Sequence, residues 1–183
     1  MSTLVDRMVE IHRALDGSEV PHAFGGALAL AWCTHQARGT IDIDLNVFIP
    51  QADAAETLAA LPPAVVVTDA DRSAIARDGQ TRLWWRDGST LVTPVDVFFN
   101  TTEFHESAAG RSRSETLGGV DMPFLSCADL AVFKAFFNRT KDWADIEEMA
   151  EAGTLDGIRV LGVLARYLGG DDDRIVRLRT IVV

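Results

Sequence analysis

Between Ile41 and Val47 the chain reads Ile-Asp-Ile-Asp-Leu-Asn-Val, apolar and polar residues alternating without a fault. Successive side chains of a β-strand point to opposite faces, so this segment predicts a strand with one buried apolar face and one acidic face. On it Asp42 and Asp44 share a face, with Cα atoms roughly 6.5–7 Å apart. A third acid has the same setting. Val95-Asp96-Val97 places a carboxylate between β-branched residues, in a segment from Leu91 to Phe99 that also reads as a strand. That segment follows another strand, Thr81 to Arg86, across Asp87-Gly88, a dipeptide favoured in tight hairpins. One alternating strand with acids on its wet face is a common solvated surface; the two strands become a site only if they are neighbours.

The remaining elements follow from local signals. Thr3 to Asp6 fits a capping box, and Leu4, Met8, Ile11 and Leu15 recur at helical spacing until Gly17. His22 to Phe24 predicts a short strand ending in Gly25-Gly26, from which Ala27 to Trp32 runs on as an apolar helix. Helices are expected over 53–61 and 69–78, with a short strand at 65–67 between them. A hairpin is expected over 114–124, split by Gly118-Gly119. From Ser126, which opens a second capping-box-like start, the chain is expected to stay helical, with breaks near Gly153-Thr154 and Gly169-Gly170. Strands first and helices last predict an α/β (α+β) fold: a mixed β-sheet flanked by helices, with a C-terminal helical subregion. A single domain over 1–183 is expected, its sheet-containing core in 1–125 and its helical part in 126–183.

Composition removes several classes of function. With 48% apolar and 24% charged residues the chain is neither disordered nor fibrous. Lys and Arg total 17 against 27 Asp and Glu, a net charge of −10, so a whole-surface grip on a polyphosphate chain is excluded and nucleic acid would need a local basic patch. No stretch approaches the ~20 apolar residues of a membrane span, no membrane partner is expected, and the first residues lack the basic-then-apolar layout of a signal peptide. Cytoplasmic residence is the expectation. Cys33 and Cys127 have no Cys or His at metal-ligand spacing; both read as small buried hydrophobes, with no disulfide and no structural zinc expected.

Asp42, Asp44 and Asp96 are the candidate metal ligands and catalytic carboxylates. Mg²⁺ takes hard oxygen ligands and commonly keeps positions for substrate phosphates, and one acid of such a group is placed to take the proton of an attacking hydroxyl. Gly25-Gly26 reads either as a tight turn or as a phosphate-binding helix start, and the order strand, glycine turn, helix, Arg38-Gly39-Thr40, acidic strand reads as one supersecondary unit. No Walker-type Gly-Lys-Ser/Thr and no Gly-x-Gly-x-x-Gly is present, which disfavours a P-loop or dinucleotide fold. Arg38, Lys134 and Lys141 are the cations available to a triphosphate, Lys134 and Lys141 sharing a helix face unless Asn138-Arg139-Thr140 breaks it. Asp142 reads as a site residue or as a first-turn acid of a helix capped by Thr140, Asp145 as a cap or salt bridge, and Asp129 as a capping acid. Phe133, Phe136, Phe137 and three of the tryptophans (Trp84, Trp85, Trp143) are expected in the core, although an exposed tryptophan beside the acidic strands would suit a nucleobase. His22, His35 and His105 receive no role.

Gly25-Gly26 followed by Arg38-Gly39-Thr40-Ile41-Asp42-Ile43-Asp44 resembles the Gly-Gly or Gly-Ser turn and Arg-x-Thr-x-Asp-x-Asp signature of the DNA polymerase β-like nucleotidyltransferase superfamily. Asp129-Leu130, Lys134 and Lys141-Asp142-Trp143-Ala144-Asp145 are similar to helical motifs of its AbiEii-type toxins, and the likeness spans about residues 21–150. The resemblance implies a nucleotidyltransferase fold in which Asp42 and Asp44 bind Mg²⁺ and Asp96 completes the acidic site. It further implies that Gly25, Gly26, Arg38 and Thr40 belong to the nucleotide site, that Lys134 contacts the triphosphate, and that Lys141 and Asp142 lie near nucleotide or acceptor. The implied partners are a nucleoside triphosphate, an acceptor that is tRNA, protein or a small molecule such as an aminoglycoside or lincosamide, and an antitoxin. Ala27 stands where many members carry serine, which keeps open a third reading: a nucleotide-binding or antitoxin-like module without catalysis.

Overall fold

The computed structural model describes residues 2–90 and 92–182. Its packing separates two compact units: the chain up to Gly25 together with Thr40–Phe124, and Gly26–Gly39 together with the chain from Leu125. In chain order the elements are α1 (Leu4–Gly17), β1 (His22–Phe24), α2 (Gly26–Thr34), β2 (Ile43–Pro50), α3 (Ala54–Ala60), β3 (Val65–Val66), α4 (Asp69–Asp78), β4 (Gln80–Trp85) and β5 (Thr93–Asn100). They continue as α5 (Glu103–Ala108), β6 (Arg113–Leu117), β7 (Val120–Phe124), α6 (Cys127–Phe137), α7 (Thr140–Glu151), α8 (Gly157–Leu168) and α9 (Asp173–Ile181).

The first unit is a seven-stranded mixed sheet in the order β3-β4-β5-β2-β1-β7-β6. β2 runs parallel to β5 and β1 parallel to β7; the other neighbours are antiparallel. Ile43, Leu45 and Val47 of β2, Val95 and Val97 of β5, and Leu83 of β4 are fully buried, so the alternation read from the sequence does fill one face of the sheet with core. α1 adds Met8, Ile11 and Leu15 to that core at the expected helical spacing, starting from the Thr3–Asp6 capping box. Gly118 and Gly119 join β6 to β7 with φ of 61° and 77°, the two positive angles that a two-residue hairpin turn matching strand twist requires.

Two expectations fail in this unit, and one helix is unforeseen. β2 begins at Ile43, so Asp42 stands just before the strand and not within it. No tight turn forms at Asp87-Gly88: β4 ends at Trp85 and β5 starts at Thr93, while Leu91 lies outside the described residues. Asp87 instead anchors this loop, its carboxylate accepting from Ser2 Oγ at 2.8 Å, from Ser89 N at 3.0 Å and from the buried Arg7 guanidinium at 3.1 Å. α5 has no counterpart among the sequence expectations; Thr102 caps it, its hydroxyl accepting from His105 N.

The second unit is helical. α2 packs against α6 and α7. Cys33 on α2 and Cys127 on α6 form a disulfide with Cα atoms 5.6 Å apart, against the expectation of two free buried thiols. Their separation of 94 residues leaves no local signal, and only packing of α2 on α6 brings them together. The helical run does break at Asn138, which adopts the left-handed conformation (φ 57°) after α6 and accepts a 2.7 Å hydrogen bond from the indole of buried Trp143. Arg139, not Thr140, occupies the cap position of α7. Of the three phenylalanines expected in the core, Phe133 and Phe136 are half-buried and Phe137 is exposed, lying under the Arg139 guanidinium; small residues Ala131 and Ala135 fill the buried stripe instead. Among the described residues no helix is long and apolar enough to cross a membrane.

Candidate functional site

In the sheet unit the register decides the site. Asp44 of β2 is the direct partner of Asp96 on parallel β5, and Asp96 is in turn the direct partner of Arg82 on antiparallel β4. Three charged side chains therefore stand in a row on one face, about 4.8 Å apart per strand. The opposite face at these positions is occupied by the buried Ile43, Val95, Leu83 set, which fixes the rotation of each strand. Further along β2 the charged face closes: Asn46 and Phe48 are buried, and Phe48 meets His105 of α5 edge to face at 5.8 Å. Asp44 and Asp96 stay partly exposed at the beginnings of their strands.

Asp42 joins this row from outside the strand. Its backbone N–H donates to Thr40 Oγ1 at 3.1 Å, a local side-chain turn that leads the chain into β2. Its carboxylate reaches to 3.8 Å from the Arg82 guanidinium. The structure therefore gives Thr40 a backbone contact that positions Asp42. Gly25 fixes the other side of β2, its N–H donating to the Asp44 carbonyl at 2.8 Å. Gly26 opens α2 with φ of 59°, a conformation that favours glycine irrespective of any ligand.

Arg82 is the site residue that the sequence reading missed. Its Nε and Nη2 each donate to one Asp96 oxygen, both at 2.7 Å, a forked pair. Those hydrogen bonds outweigh the opposing effect of burial and, with the charges of Asp96, Asp42 and Asp44 adding to them, raise the Arg82 pKa still further above its ordinary value. The usable signal was Arg82 two residues before Trp84 in an alternating strand: Arg82 and Trp84 (39% exposed) share the wet face of β4, while Leu83 and Trp85 are buried.

The sequence-predicted cations fall in the helical unit, where Arg38 and Lys134 belong to a charge cluster. Lys134 is buried and donates to Asp145 Oδ2 at 2.5 Å, with Asp142 Oδ1 at 3.9 Å. Arg38, half-exposed, shares Asp145 and lies 4.0 Å from Glu148. Asp142 accepts from the Arg139 backbone N–H at 3.1 Å and from its guanidinium at 2.6 and 3.0 Å. Burial pushes the Asp142 pKa up, but the Arg139 hydrogen bonds and charge and the Lys134 charge outweigh it and hold the pKa below the ordinary value. Asp142 is thus both a first-turn acid and an ion-pair member, and Asp145 is a salt-bridge acid. Lys141, by contrast, is exposed, and the break at Asn138 puts it on a different helix from Lys134. Asp129 takes the expected capping place, exchanging hydrogen bonds with Ser126.

Among the described residues no group of three or more His, Cys, Asp or Glu forms a ready metal cage. The carboxylate row still fits a hard divalent ion. Mg²⁺ is commonly held by one or two protein carboxylates and completed by substrate phosphates, and Asp42, Asp44 and Asp96 offer oxygens only, on a face that already holds a cation, Arg82, between two of them.

Solved structures share this mixed-sheet fold. The crystal structure of ANT(2'')-Ia in complex with adenylyl-2''-tobramycin is similar to this chain with a TM-score of 0.60 at 16% identity, covering 91% of this chain and 99% of that one. The solution structure of the antibiotic-resistance factor ANT(2'')-Ia gives 0.54 at 14% identity, covering 96% and 95%. At these identities the likeness is one of fold. No protein-family model matches the sequence, and no curated protein matches it.

Proposed function

We propose that this chain is a nucleotidyltransferase: it moves a nucleoside monophosphate from a nucleoside triphosphate to an acceptor hydroxyl, using the carboxylate face of β2 and β5. The observation that carries the reading is the Asp44–Asp96 register pair on adjacent parallel strands, with Asp42 brought alongside by Thr40. In the reaction the acceptor oxygen forms a bond to the α-phosphorus, the bond from that phosphorus to the β-phosphate oxygen breaks, and pyrophosphate leaves with the electron pair. Asp42 and Asp44, with Asp96, would hold Mg²⁺, which when bound supplies charge neutralisation at the phosphates. Asp96 takes the hydroxyl proton once its oxygens are free of Arg82. Trp84, exposed on the same face of β4 two residues from Arg82, offers a platform for the nucleobase. Arg38 and Lys141, with side chains open to solvent, are the cations we assign to the phosphates; Lys134 and Asp142 act from within the helical unit by holding Asp145 and Arg139 in place.

For the acceptor we propose a small cationic polyol of the aminoglycoside kind. A net charge of −10 repels a polyphosphate acceptor and attracts a polycation, and the fold is shared with a protein seen with adenylyl-2''-tobramycin. The AbiEii-type motifs on α6 and α7 support a second reading, transfer to tRNA or protein by a toxin-like enzyme with an antitoxin partner. The test is incubation of the protein with each labelled nucleoside triphosphate, Mg²⁺ and, separately, an aminoglycoside panel, total tRNA and cell protein, with Asp42→Ala and Asp44→Ala as controls. Label in an aminoglycoside, lost in both variants, is the expected result; label in tRNA or protein selects the second reading. Triphosphate binding without transfer to any acceptor leaves only a binding module.

A further inference from the structure

The carboxylate face is not simply vacant acid. The same Arg82 nitrogen stands 2.7 Å from Asp96 Oδ2 and 3.8 Å from Asp42 Oδ2, and Asp96 is register-paired with Asp44. One guanidinium therefore stands between the carboxylates of Asp42, just before β2, and Asp96 on β5. Both oxygens of Asp96 are spent on it. A carboxylate that accepts a forked pair from arginine has one lone pair of each oxygen engaged by the guanidinium, which competes with a metal ion for that side of the group. Two further features make Arg82 a movable occupant and not a fixed structural ion. Its side chain is 48% exposed, so water can take up the guanidinium's hydrogen bonds when the fork opens. Its own strand is held by its buried neighbours Leu83 and Trp85, so the fold does not depend on where the guanidinium lies. The buried Arg7 is the contrast: it is fully enclosed, donates to Thr93 and Asp87 and stacks over Trp85, which is what a structural arginine looks like in the same unit.

Resting on the nucleotidyltransferase reading, we propose that Arg82 is a built-in counter-ion that competes with the divalent cation for Asp42 and Asp96, so that metal binding must expel it and thereby frees Asp96. Without metal the guanidinium neutralises part of a row of three negative charges that would otherwise repel one another. With metal the two cations repel, and the monovalent guanidinium on its flexible side chain is the one displaced. The device keeps the acids ordered and shielded in the resting protein, and it lowers affinity for a divalent ion that arrives alone.

The experiment is titration of the purified full chain with Mn²⁺ alone, read by the electron paramagnetic resonance signal of free Mn²⁺, for wild type, Arg82→Gln, Arg82→Lys, and Arg82→Gln combined with Asp42→Asn and Asp44→Asn. Circular dichroism checks that each variant is folded. The expected result is weak binding by wild type, binding about tenfold tighter by Arg82→Gln, an intermediate affinity for Arg82→Lys, and loss of the gain in the combined variant. Arg82→Lys keeps the charge but loses the fork, so it reports on competition even where Arg82→Gln folds poorly. Equal affinity in wild type, Arg82→Gln and Arg82→Lys, with Asp42→Asn and Asp44→Asn alone still weakening Mn²⁺, would overturn the counter-ion and leave the metal-site reading standing. No specific Mn²⁺ binding by any variant, with or without triphosphate, would overturn both.

Discussion

Two charge clusters in this chain use the same residue types and differ in balance. In the helical unit Lys134, Arg38 and Arg139 face Asp142, Asp145 and Glu148, equal numbers of each sign, and the central members Lys134, Asp142 and Asp145 are buried. On the sheet unit three acids face one arginine, and all four side chains are reached by solvent. A buried cluster must be neutral, because an uncompensated charge away from water is costly. An open one need not be, and its surplus negative charge is free to be spent on a ligand. Charge excess on an open face, not the presence of charged residues as such, is what separates a reaction site from an ionic brace.

This contrast assigns different consequences to similar mutations. The largest effect is expected from the covalent brace of the helical unit: in the chain-entropy description a loop of about 100 residues closed by a disulfide contributes about 4–5 kcal/mol. Replacing Cys33 and Cys127 together by alanine, or reducing the protein, should lower stability by about that amount in urea unfolding; an unchanged midpoint would remove the disulfide as a brace. Next come paired substitutions that separate the clusters. Asp44→Asn should cost about 10³-fold in transfer, on the order of 4 kcal/mol in barrier, with an unchanged melting curve. Asp145→Asn strands Lys134 and should cost about 3–5 kcal/mol of stability. If Asp145→Asn melts normally and Asp44→Asn unfolds, the division between site and brace is reversed.

A smaller effect belongs to pH. His105, buried on α5 against Phe48, has its pKa pushed down to about 4 by burial, with a hydrogen bond to the Phe99 backbone pulling the other way. A histidine held neutral in the fold but free to protonate when unfolded contributes its full stability above about pH 6.5 and loses it as pH falls toward 4, about 3 kcal/mol in all. Unfolding free energies at pH 7 and pH 4.5 should differ accordingly, and His105→Leu should flatten that difference. The smallest effect is expected at Lys141: on the exposed surface of α7, its replacement by alanine should change stability by no more than about 0.5 kcal/mol. Any loss it shows in triphosphate affinity would then report on phosphate contact alone.

Much of this architecture was legible in the sequence because it rests on local patterns. The period-2 run ending at Val47, the apolar heptad-like spacing of α1, the capping residues Thr3 and Ser126 and the Gly118-Gly119 turn all specify their own neighbourhoods. What the sequence hid is register and long-range partnership. A two-residue turn at Asp87-Gly88 would have set Arg82 opposite Thr93; the longer loop held by Asp87 shifts the pairing and brings Arg82 opposite Asp96. For that reason Asp44 and Asp96 were both visible as candidates, yet neither their adjacency nor their counter-ion was. The Cys33–Cys127 bond and the packing of α2 on α6 and α7 have the same origin, contacts between segments roughly a hundred residues apart that no local pattern records.

The most direct test of the central claim is transfer from a nucleoside triphosphate carrying label at the α-phosphate in one reaction and at the γ-phosphate in another, with Mg²⁺ and the accepting substrate class, in wild type and Asp44→Asn. Nucleotidyl transfer on the carboxylate face predicts α-label in the acceptor, γ-label in released pyrophosphate, and neither with Asp44→Asn. Appearance of γ-label in the acceptor, or undiminished α-transfer by Asp44→Asn, would contradict it.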